Sequence, residues 1–368
     1  MALLKGTVKT ALKLVLLLPL MLLVLWVNYF VDQTGLFRGG KYELELAQIL
    51  LGGDAVSNFS KMDEREVLKL YIKNMPEAYD TLVVGSSRGL QITAAIAGET
   101  GTFYNAGMSG EDFYDVVGTV ARLDKYDRLP TNMILVLDPW ILNDNVDSYS
   151  KRSDADLANE FLSETLGFHE TYEAQDRSQY TEALLDLDYF QKNVAYYFED
   201  HSDEDQPSRV SGNVYEQTTE TKMADGTLLY TREYRENSQE WVDFEALTLA
   251  NGEALPFGFY DFVSLDERRC AELEALVKYL QNKNVEVTFV LSPFHPLVYN
   301  RFSEDENACG VLLAETFWKE LASRCRIPVY GSYDPEQTGC TNEDFYDGLH
   351  VRRESIKKFF FGIHASLV

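Results

Sequence analysis

The chain has 368 residues, with 59 acidic against 33 basic residues and a formal net charge of −26. Because phosphate backbones are bound through Lys and Arg, this charge argues against a nucleic-acid partner. The 4 cysteines and 5 histidines show no CxxC, HxH or HExxH spacing, so we expect neither a metal nor a cofactor. The length suits one large domain or two closely joined domains.

An apolar segment near the N-terminus predicts a membrane anchor. No charged residue occurs from Leu14 to Val31, and a helix over this segment would be roughly 27 Å long, close to the thickness of the hydrocarbon core. Lys5, Lys9 and Lys13 precede the segment and Asp32 follows it, so the positive-inside rule puts the remaining chain outside the cell membrane. A cleaved signal peptide is the alternative, but no small-x-small site follows the apolar run. We therefore expect a single-pass protein with an extracytoplasmic C-terminal domain.

After this anchor (residues 1–32), apolar residues at helical spacing predict a helical lead-in over residues 33–79. Short apolar strands then alternate with helices, which predicts one α/β domain over residues 80–138 and 265–368 with a parallel sheet covered on both faces. The predicted strands are Thr81–Val84, Thr102–Asn105, Met133–Leu137, Val285–Leu291 and Ile327–Tyr330. The predicted helices are Gly89–Ala97, Phe113–Leu123, Asp266–Asn282, Gly310–Ser323 and a last helix from Val351.

The alternation stops over residues 139–264, a stretch rich in acidic and aromatic residues. Asp225-Gly226 lies between two extended segments and predicts a hairpin turn. We expect this stretch to be an inserted mixed subdomain that overhangs the sheet, with its tyrosines and tryptophans serving first in packing. The cysteines leave two alternatives open, because an outside location permits a disulfide, with Cys325 and Cys340 the nearest pair, while free thiols fit equally well.

Polar residues follow the predicted strands at the edge where an open parallel sheet binds its ligands. The segments are Gly85-Ser86-Ser87-Arg88, Asn105-Ala106-Gly107-Met108-Ser109-Gly110, Asp138-Pro139-Trp140, Ser292-Pro293-Phe294-His295 and Asp347-Gly348-Leu349-His350. Serine, histidine and aspartate can form a nucleophilic triad, in which His takes the serine proton and Asp fixes the His tautomer. A serine at a helix N-terminus also brings its own N–H near an oxyanion, and Gly110 can bring a second N–H close.

Three of these segments resemble the SGNH (GDSL-type) hydrolase superfamily. VVGSSRG is similar to its first block, with Ser86 in place of an aspartate, which implies Ser87 as the nucleophile. NAGMSGED is similar to the second block and implies Gly110 as an oxyanion donor, while YDGLH is similar to the last block and implies Asp347 and His350 as orienting acid and base. The resemblance covers the sheet and not the insertion. It implies a flavodoxin-like three-layer sandwich around a five-stranded parallel sheet.

Arg88, Asn105 and His295 lie beside these blocks and are candidate substrate-binding residues. Two of these positions also have a structural interpretation: an arginine there can pair with a nearby acid, and a histidine in a loop after a strand is often packed in the core. The same holds for the blocks themselves, since serines cap helices and an Asp/His pair can be purely structural.

The third block of the superfamily, Gly-x-Asn-Asp, has no counterpart after the third strand, where Asp138 begins a different sequence and Asn143 is not assigned the oxyanion role. This pattern is more similar to a membrane-anchored branch that includes the accessory protein of D-alanyl-lipoteichoic acid synthesis and the alginate O-acetylation proteins. That branch implies acyl transfer to a cell-envelope glycopolymer together with a membrane-bound O-acyltransferase. An esterase of the same fold and a non-catalytic scaffold are the alternatives.

Overall fold

The structure is a computed structural model that describes residues 18–32, 37, 40–59, 62–143, 155–168, 178–198, 207–252 and 256–361. In chain order, its strands are β1 (Val56–Ser57), β2 (Thr81–Gly85), β3 (Phe103–Asn105), β4 (Asn132–Val136), β5 (Ser208–Arg209), β6 (Thr221–Lys222), β7 (Leu228–Leu229), β8 (Glu286–Leu291) and β9 (Val329–Gly331). The first eight α-helices are α1 (residues 18–30), α2 (Lys41–Leu51), α3 (Glu64–Asn74), α4 (Ala94–Ala97), α5 (Phe113–Lys125), α6 (Ala155–Glu160), α7 (Ser178–Leu185) and α8 (Leu187–Phe198). They are followed by α9 (Arg232–Arg235), α10 (Gln239–Asn251), α11 (Glu267–Asn282), α12 (Pro296–Glu304), α13 (Gly310–Cys325), α14 (Pro335–Thr338) and α15 (Lys357–Phe361).

Five strands form one parallel sheet in the spatial order β3-β2-β4-β8-β9. Numbered along the chain within this sheet, the order is 2-1-3-4-5, which is the order of flavodoxin-like folds. In the register, Leu82 of β2 lies between Tyr104 of β3 and Met133 of β4. The predicted five-stranded parallel sheet is confirmed, and each predicted strand overlaps an observed one. Because the order reverses between β2 and β4, a ligand crevice is expected at the carboxyl ends of these two strands.

Successive residues of the strands face opposite sides of the sheet, as a pleated strand requires. Leu82 and Val84 pack into a core shared with α5, α11 and α13, whereas Val83 packs into a second core with α4 and α15. All five residues of β2 are buried because both faces are covered. The sheet is therefore the middle of three layers, and it holds the ends of β2 and β4 rigidly in place.

A second sheet joins the lead-in to the insertion. Its order is β5-β1-β6-β7, and its pairs are antiparallel. Strand β1 comes from the lead-in, whereas the other three come from residues 139–264. The predicted hairpin at Asp225-Gly226 is present as β6 and β7, and its turn contacts the parallel sheet, since the N–H of Asn105 donates to the carbonyl of Asp225 at 2.7 Å. The insertion thus packs directly on the edge of the sheet beside β3.

Two predicted helices start later than the sequence pattern indicates. The segment Gly89–Ala97 becomes regular helix only in α4, because carbonyls before it accept hydrogen bonds from the Asn105 amide and from the N–H of Leu228. These hydrogen bonds from residues outside the segment replace the backbone hydrogen bonds that a continuous helix would form there. The last helix was predicted from Val351 but begins at Lys357, since Val351 forms a β-bridge instead.

Helix α1 lies against the region of α7 and α8. Asn28 is buried, and its amide donates to the carbonyls of Ala183 and Asp186 at 3.0 Å. Within the described residues, no helix is both long and apolar enough to cross a membrane, so the predicted anchor finds no support there. The predicted span starts at Leu14, and residues 14–17 and the three lysines before them lie outside the described part of the chain.

Candidate active site

Ser86 and Ser87 occupy the corner at the carboxyl end of β2, where a short 3₁₀ helix begins at Ser87. Gly85 precedes this corner, and a Cβ there would lie 2.5 Å from the Cβ of Val136, so only glycine lets β4 approach this closely. Ser86 is buried and its Oγ accepts from the N–H of Arg88 at 3.2 Å. Ser87 is half-buried. The two serines therefore differ in role, since Ser86 is buried and caps the turn, whereas Ser87 is partly exposed.

Ser87, His350 and Asp347 form a continuous hydrogen-bonded chain. The Oγ of Ser87 lies 2.9 Å from Nε2 of His350, and Nδ1 of His350 lies 2.8 Å from Oδ2 of Asp347. The other carboxylate oxygen of Asp347 accepts from the N–H groups of Leu349 and His350 at 2.7 and 2.8 Å. Ser87, His350 and Asp347 thus stand in the order of nucleophile, base and orienting acid that a serine triad requires.

The electrostatics of the pair favour a charged Asp347 and a basic His350. Burial alone would raise the pKa of Asp347, but His350, the Tyr234 hydroxyl and the Leu349 amide hold the pKa well below its usual range. Burial also opposes a charge on His350, yet the Asp347 carboxylate outweighs this effect and raises the pKa of His350 above its ordinary value. The imidazolium that forms when His350 accepts a proton is therefore stabilised.

Tyr234 is a member of the site that the sequence analysis did not single out. It lies in α9 of the insertion, and its hydroxyl donates to Oδ2 of Asp347. The ring of Tyr230, in the same segment, meets the His350 ring edge-on with the centroids 6.0 Å apart. The insertion therefore contributes directly to the surroundings of the triad. Tyrosines are numerous in this chain, and no motif marks this one.

Two backbone N–H groups near Ser87 are candidates for an oxyanion hole. The loop after β3 lies beside the serine corner, since the N–H of Met108 donates to the carbonyl of Gly85 at 3.0 Å. Gly110 in this loop has a φ of +58°, a left-handed conformation that glycine adopts readily. Neither the N–H of Ser87 nor that of Gly110 donates a hydrogen bond to a residue that the structure describes. Both donors are therefore open to a developing negative charge.

Arg88 lies inside the protein and connects the ends of three strands. Its side chain is fully buried, and Nη1 contacts Oδ1 of Asp138 at 2.6 Å. Its other nitrogens donate to the carbonyls of Leu349 and Ser292, and the guanidinium stacks 3.8 Å from the ring centroid of Phe294. A buried ion pair thus lies directly after β4, where the sequence has no Gly-x-Asn-Asp. Burial raises the pKa of Asp138, and Arg88 and Ser86 partly offset that rise.

Asn105 and His295 are also buried, and both hold backbone groups in place. The Asn105 amide donates to the carbonyl of Gly89 at 2.9 Å, and its oxygen accepts from the N–H of Gly107 at 3.0 Å. His295 caps α12 through Nδ1, and its own N–H donates to the carbonyl of Gly348 within the Asp347–His350 loop. These contacts support a positioning role for both residues, and their predicted contact with substrate stays a prediction.

No metal-binding group of three or more His, Cys, Asp or Glu side chains is found among the described residues. Asn143 turns its amide toward the carbonyl of Gly258 at 3.3 Å. All four cysteines are free thiols. Cys325 and Cys340 therefore form no disulfide in this structure. The side chains that meet at the carboxyl end of β2 are those of Ser87, His350 and Asp347.

No protein-family model matches the chain, and no curated protein matches it. A functional assignment has to be built on the geometry of Ser87, His350 and Asp347 and on the short motifs that carry them.

Proposed function

We propose that this protein is an SGNH-type serine acyltransferase that acts outside the cell membrane and moves an acyl group to a cell-envelope polysaccharide or teichoic-type polymer. The hydrogen-bonded chain from Ser87 through His350 to Asp347 is the observation that carries the proposal. The membrane anchor and the membrane-bound O-acyltransferase partner rest on the apolar N-terminal segment and on the motif resemblance.

The reaction proceeds through an acyl-serine. Nε2 of His350 takes the proton from Oγ of Ser87 as this oxygen attacks the acyl carbonyl, and Asp347 stabilises the resulting imidazolium. The N–H groups of Ser87 and Gly110 face the oxyanion of the tetrahedral intermediate. His350 then gives its proton to the leaving group, which departs and leaves the acyl group on Ser87.

The second half of the reaction transfers the acyl group to the acceptor. His350 takes a proton from a polymer hydroxyl, whose oxygen attacks the acyl-serine, and returns that proton to Oγ of Ser87 as the ester breaks. The triad does not distinguish an alcohol from water. Positioning decides the outcome, because effective molarities of a held acceptor can exceed the ~55 M of water. The packing of the insertion against the sheet edge and against Asp347 supports a covered site of this kind.

An esterase of the same fold is the second candidate, because the triad geometry serves hydrolysis equally well. A non-catalytic scaffold is the third, and the ion pair of Arg88 with Asp138 at the position of the missing third block is the observation that favours it. The three functions differ in what happens to an acyl group offered to the protein.

The test uses the full-length protein in detergent micelles with an activated ester such as p-nitrophenyl acetate, with and without envelope polysaccharide. Mass spectrometry follows acyl-Ser87, free acid and polymer-bound acyl groups, with Ser87→Ala as the blank. Transfer predicts acyl-Ser87 and acylated polymer. Free acid formed at one rate regardless of polymer, with no acylated polymer, would establish an esterase. If no acyl-Ser87 formed under any condition, the non-catalytic scaffold would be the remaining function.

A further inference from the structure

Arg65 contacts the loop after β3, which carries Ser109 and Gly110. It comes from a helix that belongs neither to the parallel sheet nor to the connections between its strands. It lies in the first turn of α3, in the lead-in. Its Nη2 donates to the carbonyls of Ser109 and Gly110 at 3.4 and 3.3 Å. The same guanidinium holds the carboxylate of Asp115 with two bonds, from Nε at 3.0 Å and from Nη2 at 2.6 Å. One side chain thus joins α3, the loop after β3 and α5.

The bond to the Ser109 carbonyl bears on the N–H of Gly110 through covalent geometry. These two groups belong to the same peptide unit, which is planar and trans, so they point in opposite directions. A donor that holds the carbonyl on the side of α3 therefore turns the N–H of Gly110 away from α3. Because Gly110 adopts positive φ, the peptide has a rotational freedom that most residues would not allow, and an external restraint is needed to select one orientation.

Neighbouring contacts strengthen this restraint. The adjacent residue Glu64 accepts from the N–H of Ser109 through Oε2 at 2.6 Å, so both backbone polar groups of Ser109 are bound by α3. The side chain of Asp115 is only 2% exposed and that of Arg65 14% exposed. A charge-assisted, two-bond pair in such a buried place fixes the guanidinium more firmly than a surface ion pair would.

We propose that Arg65 is a positioning residue of the active site, which orients the N–H of Gly110 toward the oxyanion. The inference rests on the proposed acyl-transfer function and assigns part of the catalytic apparatus to the lead-in, the segment between the predicted anchor and the sheet. The effect is on the tetrahedral intermediate and the transition states that flank it, because the ground-state carbonyl carries no oxyanion.

Arg65→Lys is the main test, since lysine keeps the charge opposite Asp115 but cannot donate in fixed directions to two carbonyls as well. We expect kcat with p-nitrophenyl acetate to fall ~10- to 100-fold, below the ~100- to 1000-fold loss typical for removal of an oxyanion donor itself, with KM within about twofold. Arg65→Ala should lose more, and guanidinium ion in the millimolar range should restore part of its rate. The melting temperature of each variant separates a local effect from unfolding.

The matched control is Arg128→Ala. Arg128 also donates to backbone carbonyls, which belong to Met75, Pro76, Tyr126 and Asp127. It lies just before β4, however, and therefore at the amino-terminal ends of the parallel strands. It should lower the melting temperature and leave kcat of the folded enzyme unchanged. A folded Arg65→Lys enzyme with the wild-type kcat, or equal losses in the Arg65 and Arg128 variants, would overturn the inference. A wild-type enzyme that never acylates Ser87 would instead overturn the proposed function.

Discussion

The hydroxyl of Tyr234 donates to the same carboxylate oxygen of Asp347 that contacts Nδ1 of His350. Tyr234 belongs to the insertion, whereas Asp347 and His350 belong to the loop before the last helix, 113 residues later than Tyr234. The insertion is therefore bonded to the loop that carries Asp347 and His350, as well as packed on the sheet. This contact predicts that changes in the insertion alter catalysis.

Tyr234→Phe removes that donor while keeping the ring. With less of its charge neutralised, Asp347 should attract the imidazolium more strongly and raise the pKa of His350 further. We expect the acid limb of the pH profile to move to higher pH, with kcat at neutral pH reduced about 10-fold. Tyr215→Phe is the control, because Tyr215 is an exposed tyrosine of the same insertion. A purely structural role for Tyr234 would lower stability and leave the acid limb where it is.

The raised pKa of His350 predicts the pH dependence of the proposed wild-type activity. His350 must be neutral to accept the Ser87 proton, and Asp347 holds its pKa above the ordinary value of 6.5. The plot of kcat/KM against pH should therefore rise through an apparent pKa above 6.5 and lose activity toward acid. Asp347→Asn removes the charge that raises the pKa of His350, so the acid limb should move to lower pH. We also expect kcat to fall on the order of 10⁴-fold. An acid limb below pH 6 in the wild type would contradict this assignment.

The two serines at the β2 corner should behave differently on substitution. Ser87→Ala and His350→Ala should each lower kcat by about 10⁴- to 10⁶-fold, because the members of a triad act as a unit. Ser86→Ala removes the cap on the N–H of Arg88 and the Ser86 contribution at Asp138, but it leaves the contacts among Ser87, His350 and Asp347 in place and should keep measurable activity. Labelling by a fluorophosphonate probe gives an independent reading. If Ser87→Ala labelled as fast as the wild type, the nucleophile would have to be sought elsewhere.

The parallel sheet and the meeting of Ser87, Asp347 and His350 could be predicted from sequence because both depend on local signals. Each strand is a short apolar run, and Ser87, Asp347 and His350 each lie in a compact motif at a predicted strand or helix end. Tyr234 and Arg65 could not be found this way. Each reaches the site through a contact between residues far apart in the chain, and neither lies in a recognisable pattern.

The sheet that joins the lead-in to the insertion could be found only from the structure. The two-residue strand β1 is too short to give a periodic pattern, and its pairing with β5 and β6 depends on residues more than a hundred positions away. The late start of α4 has a similar cause. The carbonyls that would accept hydrogen bonds within a helix accept them instead from Asn105 and Leu228. Local helix propensity cannot predict these contacts.

The buried pair of Arg88 and Asp138 should be important for stability. Asp138→Asn or Arg88→Met leaves the remaining partner buried without its counter-charge, and we expect the free energy of unfolding to fall by about 3–5 kcal/mol. Lys278→Met is the comparison, because its pair with Glu274 lies at the surface, where such a pair contributes roughly 0–1 kcal/mol. Urea unfolding followed by circular dichroism measures both. Equal, small losses in the buried and the surface variant would show that the interior pair is dispensable.

Gly226 gives a way to separate transfer from hydrolysis. It has a φ of +81°, and a Cβ there would lie 2.1 Å from the carbonyl oxygen of Asn105, so Gly226→Ala should push the hairpin away from the sheet edge. If the insertion holds the acceptor and excludes water, the ratio of free acid to polymer-bound acyl should rise several-fold while acylation of Ser87 persists. Gly212→Ala is the matched control, because Gly212 also has positive φ, at +100°, but a Cβ there meets nothing within 4 Å. It carries the same kind of backbone strain without the clash, so its product ratio should stay at the wild-type value. A ratio unchanged in Gly226→Ala would mean that the hairpin does not decide between water and polymer.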